Sequence, residues 1–153
     1  MQANTAIEPT SPLSILVVDD HAIVREGLKR ILERTTSGWR VIEAGDGTEA
    51  LHLLRQQPVD LAVIDISMPG MNGLELLHRV RADFPRLRVL MLSMHAEEQY
   101  AMRAFKAGAS GYVTKDSASR ELAAAVRKVA TGGTYVSAGL AERVVLRLNG
   151  TQE

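Results

Sequence analysis

Short apolar runs alternate along this chain with segments whose apolar positions recur every three or four residues. The runs lie at 15–18, 39–44, 61–64, 89–92 and 111–114. Those at 61–64 and 89–92 are apolar at every position. That pattern predicts strands buried on both faces, as in a parallel sheet covered by helices. Between the runs, Val24, Leu28, Ile31 and Leu32 share one helical face, and Ala50, Leu51 and Leu54 share a second. Gly73, Leu76, Leu77 and Val80 form a third. A fourth helix is predicted near 96–106; it buries mostly alanine plus Phe105, and alanine covers little area, so it should be loosely held. Leu122, Ala125, Val126 and Val129 line a fifth, which ends at Gly132-Gly133.

Boundary signals agree with this division. Asp46 with Glu49, and Asn72 with Glu75, have capping-box spacing. Gly38, Pro58 and Pro85 end helices. Strand–helix units in strict alternation, joined by right-handed crossovers, predict an α/β fold. The topology expected is a doubly wound five-stranded parallel sheet of order 2-1-3-4-5. Its first and third strands are neighbours, and their C-terminal ends meet at the switch point where such sheets bind ligands.

The chemistry sits at those ends. Asp19 and Asp20 follow the first run, Asp65 the third and Lys115 the fifth. Carboxylates packed together repel unless a cation or proton intervenes. One lysine cannot neutralise three acids, so a hard divalent metal is the natural further party. A carboxylate is already a nucleophile at neutral pH, and a metal removes its repulsion from an anionic phosphoryl group. The cluster therefore predicts phosphoryl chemistry on an aspartate. Plainer readings exist for each residue. Asp19 or Asp20 could cap the first helix. Lys115 could be a snorkelling surface lysine, Ser93 a turn residue, and Tyr112 a half-buried strand tyrosine with a wet hydroxyl. Met68-Pro69-Gly70-Met71 is a turn. His21 and His95 read as structural or solvent-facing.

Composition narrows the field. The 153 residues, 46% hydrophobic and 24% charged, fit one folded domain with short extensions. Net charge is zero, which leaves no basic field for nucleic acid or anionic membrane. The absence of cysteine excludes disulfides and thiol catalysis. Residues 1–12 read as a disordered polar tail without a signal-peptide core. No apolar run approaches the roughly 20 residues of a membrane span. The expectation is a soluble, cytoplasmic protein.

Four segments, each at a predicted strand end, carry a resemblance. They are Val18-Asp19-Asp20-His21, the stretch 65–73 (Asp65-Ile66-Ser67-Met68-Pro69-Gly70-Met71-Asn72-Gly73), Leu92-Ser93, and the stretch 108–115 ending Tyr112-Val113-Thr114-Lys115. In this order they resemble the receiver domain of two-component response regulators, with the flavodoxin/CheY-like fold, over about residues 13–132. The histidine after the acid pair, the Lys115-Asp116 step and the stretch 132–137 are most similar to the subfamily with a LuxR-type helix-turn-helix output domain. The resemblance implies that Asp65 accepts a phosphoryl group from a sensor histidine kinase. It implies Mg²⁺ held by Asp20, Asp65 and the backbone carbonyl of Ser67, with Asp19 acting through water. Ser93 would hydrogen-bond the phosphoryl group, Lys115 would pair with it, and Tyr112 would be the switching aromatic. Many receivers have proline after the lysine in a cis bond; here Asp116 predicts a trans bond.

Residues 133–153 are expected to be a linker in which Ser137 could cap a last helix. Its stripe of Leu140, Val144, Val145 and Leu148 finds no predicted partner in the chain. The chain reads either as an excised receiver with its linker or as a natural stand-alone receiver; a stripe without a partner favours the first, and a tail that folds back on the receiver or is disordered is the plainer alternative. A homodimer through helices one and five is plausible, and direct DNA contact by this chain is not expected. The expectation is a signalling domain rather than an enzyme. One rival is a Mg²⁺-dependent phosphatase with an aspartyl nucleophile, which typically needs a second acid where Ser67 stands. The other is a receiver-like interaction module that works without phosphorylation, against which the intact acid cluster argues.

Overall fold

The computed structural model describes residues 12–35 and 38–150, with backbone alone for the last four. Apart from Pro12, the tail expected over 1–12 lies outside the described residues, as does the side chain of Leu148. In chain order the elements are β1 Ser14–Val18, α1 Ala22–Thr35, β2 Arg40–Ala44, α2 Gly47–Gln56, β3 Leu61–Asp65 and α3 Gly73–Asp83. There follow β4 Arg88–Ser93, α4 Glu98–Lys106, β5 Gly111–Thr114, a 3-10 turn Lys115–Ser117, α5 Ala118–Ala130, β6 Tyr135–Val136 and α6 Ala138–Gly150.

The sheet is parallel in the order β2-β1-β3-β4-β5-β6. This is the expected order with one strand added. Side chains alternate between faces along a strand, and here both sets are apolar. Leu16, Val18, Ile64, Met91 and Tyr112 face one layer, closed by α2, α3, α4 and α6. Ile15, Val17, Val63, Leu90 and Val113 face the other, closed by α1 and α5. Each fully buried Leu, Ile or Val contributes about 1.5–3 kcal/mol, so this double burial is the main stabilising term.

Caps set the helix starts. At α3 the box is complete: Asn72 accepts from the Glu75 N–H at 3.0 Å, and Glu75 accepts from the Asn72 N–H at 2.9 Å. At α2 Asp46 accepts from the Glu49 N–H, but the Glu49 carboxylate takes the N–H of Gly45 instead of Asp46. The expected start of α4 moves from 96 to Glu98, with no side-chain cap at Glu97. Its buried residues are Ala101, Met102 and Ala104, and Phe105 is only half-buried.

The C-terminal segment departs most from expectation. Tyr135–Val136 adds the sixth strand beside β5. The helix predicted to lack a partner packs on α4, burying Leu140 and Val144 in the same core as Tyr112. Arg143 ties it down, donating to the Ala96 carbonyl at 2.5 Å and pairing with Glu98 at 3.5 Å. Val145, placed in the same stripe from the sequence, is 53% exposed. Ser137 does not spend its hydroxyl on a cap: Oγ accepts the Thr114 N–H at 3.0 Å, while its own N–H donates to the Tyr112 carbonyl.

Inside α1, a Cβ on Gly27 would meet nothing within 4 Å. Gly27→Ala should therefore stabilise the protein by about 0.5–1 kcal/mol, through lower unfolded-state entropy and better helix propensity. Urea unfolding of the pair checks this.

Candidate functional site

Strand register assembles the site as a staircase. Val18 is opposite Ile64, so Asp19 leaves β1 beside Asp65. Asp65 is opposite Leu92, so Ser93 comes one step later. Ser93 is opposite Thr114, and Lys115 follows. Three parallel pairings thus carry Asp19, Asp65, Ser93 and Lys115 to one edge of the sheet.

Asp19 and Asp65 are buried there, at 0% and 1% exposure. The Lys115 ammonium bridges them, 3.2 Å from Asp19 Oδ2 and 3.3 Å from Asp65 Oδ2. Burial, and then the charge of Asp19, raise the Asp65 pKa; Lys115 and the Ser67 N–H pull it down without winning. Burial pulls Lys115 down, yet the Asp65 and Asp19 charges outweigh it and leave its pKa raised. Asp19 also accepts the His21 N–H at 2.8 Å, and the Asp19 carbonyl takes the Arg25 guanidinium. Asp19 therefore serves the entry to α1 as well as the cluster.

The buried atoms Asp19 Oδ2, Asp20 Oδ1 and Asp65 Oδ2 have no hydrogen-bond partner. Lys115 meets two of them by charge. A buried carboxylate oxygen left short of hydrogen bonds is costly. An anionic set of oxygen donors fits a hard divalent cation. Asp20, Asp65 and Asp19 are the residues that could hold one. The Ser67 side chain is exposed, and its N–H donates to Asp65 Oδ1 at 3.3 Å, so the 65–73 loop is folded back on the acid. Gly73 lies directly against this backbone, its N–H donating to the Ile66 carbonyl at 2.8 Å.

Ser93 is fully buried, and its Oγ accepts the His95 N–H at 2.9 Å. Tyr112 is fully buried too, and its hydroxyl donates to the His95 carbonyl at 2.7 Å. This removes the plainer alternative of a half-buried tyrosine with a wet hydroxyl: the ring fills the core, and its O–H is satisfied by protein. Burial pushes the phenol pKa up, while the Ser93 hydroxyl beside it works in the other direction. The segment after Ser93 is held from two sides, since His95 bonds Tyr112 and Ala96 bonds Arg143. The His95 ring stacks on Tyr100 with centroids 4.2 Å apart. Asp116 accepts from the Thr114 hydroxyl at 2.7 Å, and no cis peptide occurs among the described residues.

His21 is the residue whose place was least legible. It is 66% exposed, as a solvent-facing histidine should be, yet Nδ1 lies 3.4 Å from Asp19 and 3.3 Å from Asp20. Its position directly after the acid pair was the available signal.

Among the described residues no helix is long and apolar enough to cross a membrane. The response regulator receiver domain family matches residues 15–127. The chain is 36% identical over 135 residues to the response regulator UvrY of Escherichia coli (strain K12), covering 88% of this chain and 62% of that protein. It is 41% identical over 138 residues to the methanol utilization control regulatory protein MoxX of Paracoccus denitrificans, covering 88% and 61%. The chain thus spans less than two thirds of the length of these curated relatives. A crystal structure of a LuxR-family two-component response regulator from Aurantimonas sp. SI85-9A1 superposes with a TM-score of 0.85 at 38% identity, covering 91% of this chain and 99% of that one.

Proposed function

Because the chain belongs to the response regulator receiver family, we propose that it is a phosphoacceptor switch with Asp65 as its acceptor. The observation that carries this reading is the buried Asp65 carboxylate, bridged to Asp19 by Lys115 and left with an oxygen that accepts no hydrogen bond. An Asp65 oxygen attacks phosphorus, the bond from phosphorus to the donor breaks, and the donor's leaving group departs with its electron pair. Lys115 then neutralises a phosphoryl oxygen, and the Ser93 hydroxyl donates to another. Mg²⁺, when bound by Asp20, Asp65 and the Ser67 carbonyl with Asp19 behind, supplies charge neutralisation between acceptor and donor.

In this reading the chain acts on itself, through its own phosphorylation and autodephosphorylation, and turns over no other substrate. The donor is a sensor histidine kinase in the cytoplasm. Residues 13–132 are the receiver, and 133–153 lead toward a helix-turn-helix output domain that controls transcription. Ser93 and Tyr112 form the switch: drawing Ser93 toward the phosphoryl group releases the His95 N–H and disturbs the carbonyl that Tyr112 holds. Helices α1 and α5 offer a surface for a homodimer.

The test is intact-mass analysis of the chain incubated with an acyl phosphate, with Mg²⁺ and with chelator. One phosphoryl adduct is expected with Mg²⁺ and none with chelator. No adduct under either condition would leave a phosphorylation-independent interaction module. Mg²⁺ should also raise the thermal midpoint, because a ligand held only by the folded state stabilises it by about 2.7 kcal/mol at a hundred times its Kd. Thermal scans with and without Mg²⁺ check this, and an unchanged midpoint at millimolar Mg²⁺ counts against the metal site.

A further inference from the structure

His21 offers a donor that the proposed site does not use. Its Nδ1 is 3.3 Å from Asp20 Oδ1 and 3.4 Å from Asp19 Oδ1. No hydrogen bond closes the gap to Asp20, whose Oδ1 is buried without a hydrogen-bond partner. Asp19 Oδ1 takes the His21 backbone N–H rather than the ring. Donor atoms of all three residues lie within 4.8 Å of one another. Adjacent ligands on an octahedral ion with bonds of about 2.1 Å stand about 3 Å apart. The imidazole and the Asp20 carboxylate therefore already have the spacing of neighbours on one cation, with Asp19 close enough to act through water. Behind them the wholly buried Asp19 has its second oxygen, Oδ2, paired by charge with Lys115 at 3.2 Å. The backbone that presents the ring is fixed, since the His21 carbonyl accepts the Arg25 N–H of α1 at 3.0 Å.

We propose that His21 is a metal ligand in this chain, its Nδ1 joining the carboxylates on the bound cation. This rests on the metal-dependent reading above and deepens it by naming the class of ion. A nitrogen donor gives Mg²⁺ little, because that ion keeps oxygen ligands and water. Mn²⁺ is also a hard ion but takes imidazole more readily than Mg²⁺ does, and Co²⁺ and Zn²⁺ take it more readily still. The site is thus built to hold such transition-metal ions better than an all-oxygen set would, and it can exchange Mg²⁺ for them. Of the other imidazoles, that of His95 is stacked on Tyr100 with Nδ1 3.7 Å from Glu97. His52 and His78 stand exposed on α2 and α3.

Mn²⁺ is the probe, because its electron spin echo reports nitrogen bonded to the metal. In the Mn²⁺-loaded chain a directly bound imidazole nitrogen is expected, retained in His95→Ala and lost in His21→Ala and His21→Gln. Mn²⁺ affinity should fall on the order of tenfold or more in the His21 variants. Mg²⁺ affinity should change by less than about threefold. Mn²⁺-loaded wild type without the nitrogen signature, or a signature that survives in His21→Ala, overturns the assignment and leaves the oxygen site standing. Failure of both ions to bind overturns the metal reading as a whole.

Discussion

Asp65→Asn abolishes the phosphoryl adduct completely and makes the metal-free protein more stable at neutral pH. The first effect follows from losing the nucleophile. The second follows from burial. The folded-state pKa of Asp65 is raised above its ordinary 3.8, by burial first and the charge of Asp19 next. Such a group favours the folded state while protonated. Its contribution is fully present below 3.8 and is lost as pH rises through the folded-state value. At neutral pH the ionised carboxylate therefore works against folding, and an amide of the same shape relieves it. Lys115 keeps Asp19 as a partner at 3.2 Å, so the substitution leaves no orphaned ammonium. A gain on the order of 1 kcal/mol is expected, which in a domain of this size is about 2–4 °C. The gap between variant and wild type should narrow as pH falls toward 4. Thermal scans in chelator at neutral and mildly acidic pH measure both effects. A variant less stable than wild type at neutral pH would show that the Lys115 pairing outweighs the burial.

Gly73→Ala should be the most damaging single methyl group in the loop. A Cβ there would lie 2.3 Å from the Asp65 carbonyl oxygen and 2.6 Å from Ile66 Cα. Both are backbone atoms, so no side chain can swing aside. Either α3 lifts from the end of β3, breaking the bond from the Gly73 N–H to the Ile66 carbonyl, or β3 shifts and takes Asp65 with it. The cost is about 3 kcal/mol or more. The acceptor should also react more slowly in whatever fraction remains folded, because its carboxylate has moved relative to Lys115. Chemical denaturation and adduct kinetics on the same preparation test this. A variant as stable as wild type would mean that the helix start yields easily. Gly27→Ala, with open space around it, is the matched control.

The central fold was legible because its strands are buried on both faces. Continuous apolar runs such as 61–64 mark strands covered on both faces, and the alternation of elements leaves few topologies. The acids and Lys115 were legible for the same reason, since each follows a recognisable run. What escaped was held by the backbone or by distance. β6 has two residues, too few for a period, and pairs through main-chain bonds. Ser137 looks like an N-cap because serine before an apolar stripe usually is one, but the Thr114 N–H reaches its hydroxyl first. That α6 folds back was one of the open readings of its stripe, but nothing in the stripe named where it docks. Its partner, α4, presents small residues that only become a surface once Leu140 and Val144 fill them. For Tyr112 the plainer alternative left the ring half outside, because a phenol wants a polar partner; the His95 carbonyl, seventeen positions earlier, supplies one in the core.

The two layers covering the sheet are closed on different schedules. α2, α3 and α4 each follow in sequence a strand whose face they help cover, so most of that side seals as the chain grows, with α6 added at the end. The other side needs α1 and α5, which come from opposite ends of the fold and pack on each other. Leu28 and Leu32 are made early, while Leu122, Ala125 and Val126, which share their core, arrive last. Until they do, one whole face of β1, β3 and β4 has half its cover. Contacts this distant are slow to form, and bare apolar surface in the interval invites association. A nascent chain paused before Ala118 is therefore an open sandwich, and the surface that best matches its exposed side is that of another paused chain.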